Sequence, residues 1–271
     1  MSWQDFLNSF IAHRGHYELV HEADCCAPGK FVLLTGETYS GKSTSLKRIA
    51  HADGGAFIKL GPWIEDPEDV AITLIDAMTG TWHSRMGAEK AINLARAIME
   101  NRRYPIVGID NLEMLDGLPQ HSEVLARIIS GSSSRFILAG ASGTEITAAR
   151  ALIYNRNLTS LRQSTVTFND FQPADPAFDT FIEDVTSIMP IGPGPIADDV
   201  RARATIYCLA EHGRLGEVMR FFRVLSETAM ARSDAPRAVD GLMLRSTASL
   251  LMHRSGNDGQ PYVRNPFASY Q

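Results

Sequence analysis

The chain has 271 residues, 44% of them apolar and 21% charged, with a formal net charge of −5; that is enough apolar chain for a substantial core and argues against disorder. No apolar run approaches the roughly 20 residues that cross a bilayer, and the N-terminal stretch lacks the pattern of a secretory signal, so a cytoplasmic location away from any membrane is expected. An isoelectric point near 5.9 excludes coating of nucleic acid through bulk positive charge but leaves a local basic stripe open.

Taken in chain order, Trp3, Phe6, Leu7, Phe10 and Ile11 form one apolar face and predict an amphipathic helix over 3–19. A strand is predicted at 31–35, then the run Gly36-Glu37-Thr38-Tyr39-Ser40-Gly41-Lys42-Ser43, then a helix over 42–51. A second strand at 56–60 is followed by helical spacing over 67–78 and a helix over 88–101. The apolar strand at 105–110 ends on Asp110. Helix 119–130 leads through a turn to a strand at 135–139, whose tip is Gly140-Ala141-Ser142. Helix 144–154 precedes a short strand at 165–168, and from 175 to about 231 the pattern is helical, broken by the Pro- and Gly-rich stretch 190–195.

Strands alternating with helices imply an α/β fold with a parallel sheet, flanked by helices, whose ligands lie at the carboxyl ends of the strands. Four regions follow: an N-terminal helical segment 1–28, a nucleotide-binding core 29–171, a small C-terminal helical lid 172–254 and a flexible tail 255–271. Residues 191–271 are the less acidic part, with 10 Lys and Arg against 8 Asp and Glu. Cys25, Cys26 and Cys208 fit neither a disulfide framework nor a CxxC metal site, and the histidines show no ligand spacing.

The run from Gly36 to Ser43 is a complete GxxxxGK[ST] P-loop between strand and helix, the arrangement that binds a nucleoside triphosphate. Gly36 and Gly41 permit backbone conformations that a β-carbon obstructs, so that N–H groups of the loop, through Glu37, Thr38, Tyr39 and Ser40, turn toward phosphate oxygens. Lys42 supplies a point charge for the β- and γ-phosphates, the Ser43 hydroxyl is placed to ligate Mg²⁺, and Thr44 supports the helix start. Asp110, 68 residues after Lys42, is the candidate carboxylate for the metal shell. The next residue is Asn111, and a neutral amide orients water without taking its proton, so slow hydrolysis is expected; Glu113 is the substitute base if the backbone turns there. Ser142 is read either as a contact to the γ-phosphate or its attacking water, or as a helix N-cap. Arg156 and Arg162, just before the last core strand, are candidate fingers reaching a neighbouring subunit's nucleotide, with a solvated surface role as the alternative.

With these features in this order, the chain resembles an AAA+ ATPase, and more narrowly the TniB/TnsC family of transposition regulators. The segments that carry the likeness are FVLLTGETYSGKST, IVGIDNLEMLDGLPQHSEVLARII, RFILAGASG, NLTSLRQSTVTFNDFQPADPAFDTFIEDVTSIMP and IYCLAEHGRLGEVMRFFRVLSETAMARS, together spanning roughly 31 to 233. The resemblance implies ATP and Mg²⁺ as cofactors and a homo-oligomer, ring or helical filament, on double-stranded DNA. It further implies recruitment or activation of a transposase, with a target-selection protein or guide complex as a further partner. It places Lys42 and Ser43 on the triphosphate and metal, Asp110 on the metal, Ser142 as sensor and Arg156 or Arg162 as the trans-acting finger; the lid arginine it implies near Gly216 is not in register, Arg214 and Arg220 being its neighbours. Asn111 stands where most relatives carry Glu. DNA contacts in such assemblies come from channel loops, for which Lys59, His83, Arg85, Lys90, Arg102 and Arg103 are the basic or polar candidates, each also readable as a solvated charge. An initiator- or loader-like ATPase, or a signalling NTPase acting on a protein partner, is the other reading of the same motifs.

Overall fold

A computed structural model describes residues 2–52, 54–140, 156–172, 175–211, 213–232, 234, 236–255 and 267, without the side chains of Leu7 and 253–255. It divides into two compact units, one formed by 14–169 and the other by 1–13 with 170–271. No helix among the described residues is long and apolar enough to cross a membrane.

The larger unit is built on five parallel strands: β1 (Phe31–Gly36), β2 (Ala56–Lys59), β3 (Ile106–Asp110), β4 (Arg135–Ala139) and β5 (Arg162–Phe168), in the order β2-β3-β4-β1-β5. The apolar run of β1 is explained by burial on both faces. Its alternate residues Phe31 and Leu33 join a core with Ile58, Leu74, Ile92 and Leu125, while Val32 and Leu34 join another with Leu19, Leu46, Ile49 and Val166. The first core belongs to helices α4 (Pro67–Thr79), α5 (Ala88–Arg102) and α6 (Pro119–Ser130), the second to α2 (Arg14–Cys25) and α3 (Lys42–Ala52). Gly108 lets α3 approach β3, since a β-carbon there would stand 2.7 Å from the Leu46 side chain. Helix α4 starts with Pro67 after a capping box, in which Asp69 accepts from the N–H of Asp66 at 2.8 Å, and ends at Gly80 in the left-handed region.

The smaller unit holds α1 (Trp3–Asn8), α8 (Pro176–Ser187), the single turn α9 (Pro195–Asp198), α10 (Val200–Leu209), α11 (Leu215–Met230) and α12 (Gly241–Ser255). Its core gathers Phe6, Phe178, Phe181, Ile206, Phe221, Phe222, Leu244 and Phe267. Asp175 and Asp199 cap α8 and α10, each accepting the backbone N–H two residues on at 2.8 Å.

Several sequence expectations are revised. The helix expected over 3–19 is two helices: the Ser9 N–H and hydroxyl satisfy the carbonyls of Phe6 and Asp5 and end α1. Residues 1–28 are accordingly shared, since Phe6 packs in the helical unit while Leu19, Ala23 and Cys26 pack on the sheet. Strand β5 begins three residues earlier than expected, because Gln163 is held by the N–H of Ala27 and the carbonyl of Cys25, at 2.8 Å each. Helix α7 (Arg156–Leu161) has no counterpart in the sequence reading, and helix α12 falls in the region 172–254 read as helical, where no separate helix is predicted beyond about 231. The interruption at 190–195 is real: Gly192 exchanges 2.9 Å backbone bonds with Arg237 and Val239, a bridge that fixes it outside any helix. The helix expected over 144–154 and the tail beyond 255, except Phe267, lie outside the described residues.

Candidate nucleotide-binding site

Because all five strands run parallel, the end of β1 and the end of β3 open on the same edge of the sheet, with β4 between them. Two strand spacings separate them, about 10 Å. The loop after β1 and the carboxylate that ends β3 therefore share one crevice, at a point where a ligand binds in sheets of this kind.

The cradle is formed by backbone strain placed where the motif puts its glycines. Gly36 has φ +148, and a β-carbon on it would stand 2.5 Å from the Phe168 carbonyl and 2.8 Å from the Ser40 hydroxyl. Gly41 has φ 89, and between them Tyr39 has φ 67, a left-handed conformation that a bulky residue adopts at a cost of ~1–3 kcal/mol. Lys42 is buried, and its ammonium donates to the carbonyls of Gly36 and Glu37 at 2.6 Å each and to the Ser40 hydroxyl at 3.3 Å. Glu37, Thr38, Ser43 and Thr44 are exposed, so the Ser43 hydroxyl is open to a metal.

Asp110 is 3% exposed. Its Oδ1 accepts the N–H of Asn111 at 3.0 Å, whereas its buried Oδ2 has no partner among the described residues. A buried carboxylate oxygen without a donor is costly, and a divalent cation satisfies it. The residues present thus fit a triphosphate with Mg²⁺: Lys42 and the loop for the phosphates, Ser43 and Asp110 for the metal.

Asn111 sits at φ 63, where Asn is tolerated better than Glu. Its amide nitrogen donates to the Leu60 carbonyl at 3.0 Å, and Glu113 lies half-buried in the short 3₁₀ turn Leu112–Leu115. Arg156 opens α7 and Arg162 opens β5, both exposed. Ser142 lies outside the described residues. Arg214 belongs to the other unit, at the N-cap of α11, where it pairs with Glu211 at 2.5 Å and Asp170 at 3.8 Å.

The basic candidates divide by what they hold. Arg85 pairs with Asp66 and with Asp69 at 3.3 Å, Arg102 donates to the Met78 carbonyl, and His83 bonds Asp76 at 2.8 Å. Lys59, Lys90 and Arg103 are exposed. Sequence reasoning missed the contact of Asn111 with Leu60 and the two exposed tryptophans nearby in the chain, Trp63 and Trp82. The signal available for Asn111 was its type: Asn directly after a strand end favours a left-handed turn. A groove of about 630 Å³ lies in the helical unit among Thr186, Met189, Pro190, Gly192 and Arg237 and contains none of the candidate site residues.

No family model matches the chain, and no curated protein matches it. Solved structures do. The ORC1 protein of Aeropyrum pernix in complex with DNA aligns over 96% of this chain and 76% of its own, with 17% identity and a TM-score of 0.58. The Walker-type ATPase PABY2304 of Pyrococcus abyssi aligns over 91% and 75%, with 14% identity and a TM-score of 0.58. The RuvB Holliday junction branch migration motor of Thermotoga maritima aligns over 91% and 74%, with 17% identity and a TM-score of 0.57. The chain shares with these solved structures its fold, a five-stranded parallel sheet flanked by helices.

Proposed function

We propose that the protein is an ATP-hydrolysing, DNA-associated AAA+ switch that regulates transposition, recruiting or activating a transposase from a nucleotide-dependent homo-oligomer on double-stranded DNA. The observation that carries the nucleotide reading is the crevice itself: a strained phosphate cradle two strands from a buried carboxylate with one unsatisfied oxygen. Ser43 and Asp110 would hold a bound Mg²⁺, which would supply charge neutralisation for the triphosphate, and Lys42 would donate to the phosphates.

Hydrolysis is slow because Asn111 cannot accept a proton and its amide nitrogen is directed at Leu60. Arg156 or Arg162, both exposed, completes the site of a neighbouring copy, which ties turnover to assembly. The DNA reading is supported by the solved neighbours, one a complex with DNA and one a branch migration motor. The transposition reading is supported by the quoted sequence segments.

The test is retention of duplex DNA with ATP, with ADP and without nucleotide, across a salt series. ATP-dependent retention that weakens steeply with salt is expected. Equal retention in all three states would falsify the switch, and no retention in any of them favours, of the two alternatives, the signalling NTPase acting on a protein partner over the initiator- or loader-like ATPase. A transposase gene beside this one is the corresponding test of the finer reading.

A further inference from the structure

The ends of β2 and β3 are stitched together beyond their ladder. The Leu60 N–H donates to the Asp110 carbonyl at 3.0 Å, and the Leu60 carbonyl accepts the Asn111 side-chain amide at 3.0 Å. Both backbone polar groups of Leu60 are therefore held by the pair of residues that carries the metal carboxylate. Asn111 also holds the carboxylate directly, through its N–H to Oδ1 at 3.0 Å.

On the other side of Leu60 stands Gly61, and here a side chain replaces what a β-carbon would occupy. A β-carbon on Gly61 would lie 2.1–2.5 Å from three atoms of the Trp63 six-membered ring. The indole thus rests on the Gly61 backbone. The Ile64 N–H closes the turn on the Gly61 carbonyl at 3.3 Å, and Ile64 is buried, so the far side of the turn is anchored. Trp63 itself remains 59% exposed. A continuous path of short contacts runs from Asp110 Oδ1 through Asn111 and the Leu60 carbonyl to the seat of an exposed tryptophan.

Such a path has little slack. Asn111 is fixed at its left-handed backbone, at its N–H and at its side chain, so a change in carboxylate orientation cannot be absorbed by that residue alone. Packed elements shift between discrete arrangements and do not deform continuously.

We propose that Asn111 is a positioning residue that links the Asp110 carboxylate to the seat of Trp63, so that capture of a divalent cation with a nucleoside triphosphate changes the environment of that tryptophan. The inference rests on the nucleotide reading given above. It assigns Asn111 a role distinct from orienting water, and it makes the turn 61–64 the surface that reads the state of the site.

The experiment leaves Trp63 as the only tryptophan, by Trp3→Phe and Trp82→Phe in the full chain, and follows its emission and its quenching by acrylamide. Each protein is brought to saturation with a fluorescent-nucleotide competition assay run in parallel, so that loss of a signal is not loss of binding. A shift with Mg–ATP that is absent with ATP plus EDTA is expected, and Asn111→Gly, which takes the same backbone conformation without the amide, should lose it. Retention of the shift in Asn111→Gly, or no shift in a parent that binds Mg–ATP, overturns the proposal. A parent that binds no nucleotide overturns the nucleotide reading instead. Should Asn111→Gly fold poorly, hydrogen exchange of residues 61–64 in the unaltered chain decides the same question: protection altered by Mg–ATP and unaltered by ATP with EDTA supports the link, and no alteration removes it.

Discussion

The Lys42 ammonium and the Gly36 carbonyl are 2.6 Å apart, so the cation of the cradle is held by the first residue of the same loop. That bond, with its twin to Glu37, keeps a buried charge satisfied. In Lys42→Ala, removal of a charge-assisted interaction of about 3 kcal/mol should weaken nucleoside triphosphate binding roughly a hundredfold, measured by titration with a fluorescent analogue. Assembly on duplex should disappear with it.

The glycines of the chain are not equivalent, and two of them make a controlled comparison. Gly36 and Gly80 both have positive φ, but a β-carbon at Gly36 meets the Phe168 carbonyl at 2.5 Å while one at Gly80 meets nothing within 4 Å. Gly80→Ala should therefore cost only backbone strain, about 1 kcal/mol. Gly36→Ala should cost that and the displacement of β5 or the loop, about 3 kcal/mol in total. Chemical denaturation of the two variants checks the difference. Equal losses would show that the contact of Gly36 with β5 is unimportant.

His16 gives a pH signature to the sheet unit. Burial, and then the charge of Arg48, hold its imidazole below the usual value of 6.5. The folded chain thus prefers the neutral ring, and the unfolded chain takes up the proton first as pH falls. The corresponding stability is fully present above about 6.5 and declines below it. Unfolding midpoints at pH 7.5 and pH 5.5, values chosen about one unit either side of the unperturbed imidazole, should differ in the parent and differ less in His16→Leu. An unchanged difference would assign the pH dependence elsewhere.

What was legible in the sequence follows contiguity. The cradle could be read because its eight residues are consecutive and the conformation they need is local. Asp110 could be read because a strand buried on both faces is apolar until it ends, and a carboxylate at that end is conspicuous. The partner of Asn111 could not, since Leu60 lies 51 residues away and meets it only through the pairing of β2 with β3. The first three residues of β5, Arg162, Gln163 and Ser164, are polar because the strand is at the edge of the sheet, so they carry no apolar signal. Helix α12 mixes Leu and Met with Ser, Thr and Arg around its whole circumference and shows no narrow stripe to recognise.

Asn111→Glu is the direct test of why turnover should be slow. A carboxylate at this place restores a group able to accept a proton, an effect of about 10²–10⁴ in rate where geometry allows. It also puts Glu into a left-handed conformation and removes the bond to Leu60, at a cost of about 1–2 kcal/mol of stability. Phosphate release at saturating Mg–ATP should rise by about a hundredfold, the low end of that range, while the thermal midpoint falls. A fall in both would place the limiting step outside proton transfer.

On the proposed association with DNA, the basic side chains predict an order of importance. Arg85 is already paired with Asp66 and Asp69, and Arg102 holds the Met78 carbonyl at the end of α4; each would have to give up a partner to meet a phosphate. Lys59 and Lys90 are exposed, and no ion pair involves either among the described residues. Lys59 is also the last residue of β2, in register with Asp110. Lys59→Ala should therefore weaken duplex retention and lower the dependence of log affinity on log salt by about 0.9 for each phosphate that is no longer neutralised, and Lys90→Ala should act in the same direction. Arg85→Ala and Arg102→Ala should leave that slope unchanged while reducing thermal stability. The reverse pattern, with the slope falling only when the paired arginines are removed, would mean that DNA displaces their carboxylate and carbonyl partners and that this face rearranges on binding.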